Sequence, residues 1–68
     1  MKIAVGAYYY APSPLGPILV QVLSITDDDK VIIRMENNGS WFRCEPIFMS
    51  QTRVWEPAQA PEDGGTAA

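Results

Sequence analysis

The stretch "KVIIRMENNGSWFRCE", residues 30–45, carries the clearest fold signal in the chain. Asn38 and Gly39 are adjacent residues that readily adopt positive φ, as a two-residue hairpin turn requires. The segment before this turn alternates as a half-buried strand does, and one of its faces would carry Val31, Ile33 and Met35. The sequence therefore predicts strands at 30–36 and 41–45 that pair antiparallel.

The preceding segment, "ILVQVLSIT" at residues 18–26, predicts a second strand. It is rich in β-branched residues and apolar on both alternating faces, which is typical of a central strand that is covered on both sides. One small sheet provides that cover only by folding over on itself or by recruiting a partner. The polar "TDDDK" at 26–30 predicts a tight connection to the next strand.

The flanking segments complete the predicted order of elements. Residues 2–10 predict a first strand, and the three prolines and one glycine of 11–17 predict a stiff, ordered loop. After Pro46 breaks a strand ladder, residues 46–50 predict one short 3-10 turn. A last strand is expected at 51–56.

The last twelve residues differ in composition from the rest of the chain. Residues 57–68 lose large apolar side chains and gain proline, alanine, glycine and acid. We therefore divide the chain into a domain at 1–56 and an acidic Pro/Ala/Gly-rich C-terminal tail at 57–68. Residues 1–55 carry five basic and five acidic side chains, 5 − 5 = 0. This balance lacks the one-signed field that phosphate binding needs, so nucleic acid is disfavoured as a partner.

Cysteine and histidine usage limits the chemistry of the chain. Cys44 is the only cysteine and histidine is absent, so one chain can form neither a disulfide nor a Cys/His zinc site. No metal site or cofactor is predicted. The tyrosines at 8–10 interrupt the short apolar start before a signal-peptide core forms, and no run reaches membrane-span length. We expect a cytoplasmic protein with no membrane partner.

The order of strands and turns resembles that of the SH3-like barrel family in the broad sense, including Tudor and KOW-type domains. The stretches that carry the resemblance are "VGAYYYAP", "GPILVQVLSITDDDKVIIRME", "NNGSWFRCE" and "PIFMSQTRVW". The resemblance covers residues 2–56 and rests on strand order and turns. It implies an all-β fold, a small five-stranded antiparallel SH3-like barrel with one short 3-10 turn before the last strand. It also implies a binding module more often than an enzyme.

The aromatic side chains are the candidate binding residues. In a strand, Tyr8 and Tyr10 lie on one face and Tyr9 on the other. The candidate ligand-binding or partner-binding residues are Tyr8, Tyr10, Trp41 and Trp55. One interpretation places these rings in the core or in a subunit interface. The resemblance implies another, an aromatic groove for a proline-rich peptide or a methylated cation. The long first loop has no acidic residue, which departs from peptide-binding SH3 domains.

Two other features have unremarkable interpretations. The aspartates at 27–29 are interpreted as a solvated turn, since consecutive carboxylates lack the spacing of a calcium loop. Cys44 lies in an apolar alternation without a histidine to activate it, so we interpret it as a buried, inert thiol.

No conventional catalytic constellation is present, so the chain is predicted not to be an enzyme. One remote alternative is that it resembles the plasmid-type, trimethoprim-insensitive dihydrofolate reductases, SH3-like barrels whose tetrameric pore uses a Val-Gln-Ile-Tyr strand. The segment "VQVL" at 20–23 is similar in two residues and has Leu23 in place of the tyrosine.

Two hypotheses remain after this survey. The first is a small homo-oligomeric interaction module whose partners are itself and another protein or peptide. It follows from a chain of 68 residues with 47% hydrophobic residues, which has little interior in which to bury them. The second is a ligand-binding barrel in which Tyr8, Tyr10 and Trp41 line a pocket for a small or peptide cation.

Overall fold

The computed structural model describes residues 3–61. The all-β prediction is confirmed, since this part of the chain consists of six strands and one short 3-10 helix. The strands are β1 (Tyr8–Ala11), β2 (Ile18–Ile25), β3 (Lys30–Asn37), β4 (Ser40–Arg43), β5 (Ile47–Phe48) and β6 (Glu56–Ala58), and the 3-10 helix spans Met49–Val54.

The strands form one open antiparallel sheet in the order β4-β3-β2-β1-β6. Val31 pairs with Ile25 of β2 on one side and with Ile47 of β5 on the other, so β5 follows β4 along the same edge of β3. Among residues 3–61, no ladder joins β6 to β4 or β5. The predicted closed five-stranded barrel is therefore wrong in strand number and in closure.

The predicted hairpin is confirmed in β3 and β4. Asn38 and Gly39 have φ values of 54° and 85°, the left-handed conformations that the two-residue turn requires. The Gly39 N–H donates to Glu36 Oε2 at 2.6 Å, which adds a side-chain bond across the turn. The hairpin pairs Met35 with Phe42 and Glu36 with Trp41.

The helix is longer than predicted, and the strand predicted at 51–56 is wrong. Gln51 Oε1 accepts from the Phe48 N–H at 2.9 Å, and the Thr52 hydroxyl donates to the Met49 carbonyl at 2.8 Å. These local side-chain bonds favour a helical turn over the strand that the β-branched residues favour. The last strand, β6, begins only at Glu56 and extends through Pro57 to Ala58.

The structure describes only residues 57–61 of the predicted tail. Pro57 and Ala58 pair with Tyr9 and Tyr8 of β1, so the sheet extends two residues past the domain boundary placed at 56. Residues 62–68, which include most of the predicted acidic tail, lie outside the described residues.

The core lies on one face of the curved sheet. Seven apolar residues are buried there: Ile3, Tyr9, Val20, Val22, Val31, Ile33 and Trp55. The Tyr9 and Trp55 rings pack with centroids 6.0 Å apart, and the Tyr9 hydroxyl accepts from the Ala4 N–H at 2.9 Å. These contacts join segments near both ends of the described chain to β1.

The central strand β2 is less covered than its sequence predicts. Val20 and Val22 are buried, but Leu23 and Ile25 are exposed. The register to β3 shifts between Val22 and Ser24, so that Ser24 lies opposite Ile32 and Ile25 lies opposite the buried Val31. In residues 3–61, β2 is buried near its centre and exposed at its C-terminal end.

Candidate functional site

The three tyrosines of β1 divide between the two faces of the sheet. Tyr9 is 5% exposed in the core, whereas Tyr10 is 46% exposed on the outer face. Tyr8 is half-buried on the same outer face. This is the alternation that the sequence predicts, and it leaves Tyr8 and Tyr10 as the surface aromatics of this strand.

Tyr8 belongs to a cluster on the outer face of the sheet, which we call the Arg34 cluster (Tyr8, Gln21, Arg34 and Trp41). Pairing places Tyr8, Gln21 and Arg34 side by side on three strands. The Tyr8 and Trp41 rings meet edge to face with centroids 6.0 Å apart. The cluster therefore spans β1 to β4 and packs the outer face without adding to the core.

Arg34 holds the cluster together. Its Nε donates to Gln21 Oε1 at 2.8 Å, and Gln21 Nε2 donates to the Gly6 carbonyl at 3.1 Å. The Arg34 guanidinium carbon lies 4.4 Å from the centroid of the Trp41 ring, a favourable cation–π distance. The Trp41 ring thus already has a cation from its own chain, which weakens its case as a cage for an external cation.

Tyr10 lines a separate concavity, which we call the loop groove. This groove has a volume of about 360 Å³ and is lined by Tyr10, Pro12, Ser13, Gly16, Pro17, Val54 and Glu56. Among the described residues that line it, Glu56 is the only charged one. A mostly apolar lining with one acidic residue suits an apolar chain bearing a basic group.

The loop beside this groove is ordered, as its prolines predict. The Ser13 hydroxyl donates to the Gly16 carbonyl at 2.5 Å and accepts from the Leu15 N–H at 3.2 Å, while the Gly16 N–H donates to the Ser13 carbonyl at 3.0 Å. Gly16 has φ 112°. This turn presents Leu15 at its tip with 99% of its surface exposed.

The four predicted site residues lie in three places. Tyr8 and Trp41 meet in the Arg34 cluster, and Tyr10 lines the loop groove. Trp55 is 7% exposed in the core, where it has little surface to offer a ligand. The three predicted pocket residues of the cation hypothesis are therefore not brought into one pocket.

Sequence reasoning missed two exposed apolar residues of interest. Val54 borders the loop groove, and Phe42 is 53% exposed at the edge of the sheet. Phe42 lies opposite Met35 and shares its face, and Met35 packs against the core. Phe42 stays exposed because β4 ends the sheet and no neighbouring strand in the described chain covers it. Only knowledge of the strand order would have shown this.

Among the described residues, Asp28 and Cys44 have shifted pKa values. The Thr26 hydroxyl bonds the Asp28 carboxylate and, with a backbone N–H and nearby Lys30, lowers the pKa of Asp28. Lys30 Nζ lies 3.9 Å from Asp28 Oδ2. Burial raises the pKa of the Cys44 thiol, against a smaller lowering effect of a backbone hydrogen bond at Met35. A raised pKa leaves less of the thiolate that acts as a nucleophile.

Neither a metal cluster nor a membrane-spanning helix is found in the part of the chain that the structure describes. Across residues 3–61, no three Cys, Asp or Glu side chains converge as a metal site would require. In that same range, no helix has the length and apolar character needed to cross a membrane.

Comparison with known proteins found no matching family model, no matching curated protein and no matching solved structure.

Proposed function

We propose that this protein is a small, non-enzymatic protein-interaction module that associates with further copies of itself. The observation that carries the proposal is the set of large apolar side chains exposed around an open sheet. Six of them lie outside β2, namely Val5, Tyr10, Leu15, Phe42, Phe48 and Val54. A domain with a small core has little interior for such side chains, so we propose that they are buried against another chain.

Self-association is the form of interaction that best accounts for this distribution. The buried apolar core comprises only seven residues, and a core of that size gives a single small domain little stability. Burying Phe42 or Leu23 against a second copy would add apolar burial of the kind that stabilises obligate assemblies.

The native mass of the full chain tests this proposal. We expect size exclusion with light scattering, over a roughly hundredfold range of protein concentration, to show a dimer or larger species that dissociates on dilution. A monomer over the whole range would contradict self-association.

The loop groove favours a second candidate, binding of an extended peptide that carries an apolar side chain and a basic group. Its support is the combination of exposed Tyr10 and Val54 with the carboxylate of Glu56. A displayed library of random peptides provides the probe. We expect selected peptides to be enriched in lysine or arginine and to lose binding in Tyr10→Ala but not in Tyr8→Ala, which lies outside the groove. Equal loss in both variants would contradict this candidate.

The dihydrofolate reductase alternative has a direct assay. Consumption of NADPH and dihydrofolate by the pure protein, abolished in Gln21→Leu, would replace the non-enzymatic proposal. We expect no such consumption, because Gln21 already bonds Arg34 and Gly6 within the Arg34 cluster.

A further inference from the structure

Within residues 3–61, no strand pairs with the outer edge of β4, and this edge has hydrogen-bonding groups in a defined pattern. The Cys44 N–H donates to the Ile33 carbonyl of β3 at 2.9 Å. Because backbone groups alternate along an antiparallel strand, Ser40 and Phe42 also direct theirs toward β3. Trp41 and Arg43 therefore direct their N–H and C=O groups away from the sheet.

The opposite edge of the sheet is blocked against such pairing. Pro57 is the middle residue of β6, which pairs only with β1. Proline has no N–H, and in an edge strand its nitrogen faces solvent. The outer edge of β6 thus lacks the central donor that another strand would need. In the described chain β4 has no such protection, since its four residues include neither a proline nor a bulge.

We propose that the outer edge of β4 pairs antiparallel with β4 of a second copy, about a twofold axis that passes beside Phe42. The two open sheets then become one continuous sheet. Phe42 lies directly opposite Phe42 of the second copy on the core-facing side, and Trp41 lies opposite Arg43 of the second copy on the outer side. This inference rests on the proposed self-association and names the surface that produces it.

The register follows from three constraints. Residues directly opposite each other in an antiparallel pair share a face, so Trp41 meets Trp41, Arg43 or Glu45 of the second copy. Only the pairing of Trp41 with Arg43 places Phe42 against Phe42 of the second copy. That pairing buries the most exposed ring of the strand. A shift that places Arg43 against Arg43 opposes like charges directly and is unfavourable.

The hydrogen bonds fit the same register. Trp41 and Arg43 hold the outward N–H and C=O groups, so each Trp41–Arg43 pair between copies exchanges two backbone bonds. The Phe42 pair falls between these bonded pairs, where opposite side chains approach most closely. Arg43 of the second copy would meet the side of Trp41 that Arg34 does not cover, which adds a cation–π contact.

A cysteine at the twofold axis tests the proposal. In a Cys44→Ala background, which removes the native thiol, Phe42→Cys places two thiols opposite each other at a separation that a disulfide can span. Phe48→Cys in the same background is the matched control, because Phe48 is similarly exposed but belongs to β5. The readouts are the rate of disulfide dimer formation under mild oxidation and the native mass of each reduced variant.

We expect Phe42→Cys to form the disulfide dimer at least about tenfold faster than Phe48→Cys, because pairing raises the effective thiol concentration. If the protein assembles but both variants cross-link equally slowly, the β4 pairing is wrong while self-association is still supported. A wild-type chain and variants that all remain monomeric would overturn both. Phe42→Ser provides a check without cross-linking, and its assembly should be weaker than that of Phe48→Ser.

Discussion

At the scale of single residues, the Thr26 hydroxyl stabilises the connection between β2 and β3. It donates to the Asp28 carboxylate and accepts from the Lys30 N–H at 3.1 Å. We expect Thr26→Val to lower the free energy of unfolding by about 1 kcal/mol, since it removes both bonds and keeps the side-chain shape. Thr26→Ser, which keeps the hydroxyl, should unfold in urea near the wild-type midpoint. Equal midpoints for wild type and Thr26→Val would contradict this role.

The same hydroxyl lowers the pKa of Asp28. The stability of the fold should therefore depend on pH through this carboxylate. A carboxylate with a lowered folded-state pKa stabilises the fold above its unfolded-state pKa, and this contribution is lost as pH falls through the folded-state value. We expect an NMR titration to place the pKa of Asp28 below that of an ordinary aspartate, and to show it rising in Thr26→Val. An unchanged pKa in the variant would assign the shift to Lys30 and the backbone instead.

Cys44 should react slowly with thiol reagents in the folded protein. Partial burial raises the pKa of the Cys44 thiol, so the thiolate fraction near neutral pH is smaller than for a free cysteine. We expect alkylation by iodoacetamide to be slower than in the urea-unfolded chain at the same pH and to accelerate only at more alkaline pH. A folded-state rate equal to the unfolded-state rate would contradict the burial of this thiol.

At the scale of elements, β6 sets how far the C-terminus can be shortened. Deleting 57–68 removes Pro57 and Ala58 from the ladder with β1, whereas deleting 59–68 leaves β6 intact. We expect the longer deletion to lower the Tm measurably more than the shorter one, because it also uncovers one side of β1. Equal Tm values for the two truncations would show that β6 adds nothing to stability.

The elements that sequence predicts well are those decided by local chemistry. The Asn38–Gly39 hairpin depends on two adjacent residues with positive φ, and the structure contains it. The strand predicted at 51–56 was wrong, because Gln51 and Thr52 bond backbone groups within their own turn. Closure of the barrel was also wrong, since it depends on pairing between strands that are distant in sequence.

In the candidate site, too, local patterns predict some features and strand pairing decides the others. Alternation alone separates Tyr9 from Tyr8 and Tyr10, and the structure shows that Tyr9 is the buried one. It cannot show that Tyr8 and Trp41 meet across two intervening strands, or that Arg34 covers the Trp41 ring. Those contacts depend on the register of three strand pairs, as does the exposed position of Phe42.

At the scale of the whole molecule, the described chain combines a small core, an open sheet and one unblocked edge. Residues 3–61 bury seven apolar residues and leave Phe42 beside outward-directed backbone groups of β4. Pro57 blocks the other edge of the same sheet. A single orientation of two copies pairs the outward backbone groups of β4, covers both Phe42 rings and keeps Arg43 of one copy from lying opposite Arg43 of the other.

Amide hydrogen exchange at Trp41 and Arg43, followed by NMR at low and high protein concentration, tests this claim most directly. In the isolated chain their outward N–H groups should exchange fast, while that of Phe42 is protected within the hairpin. We predict that both amides become protected at the concentration at which the mass becomes dimeric. Fast exchange of both amides in a sample shown to be dimeric would contradict the β4 pairing.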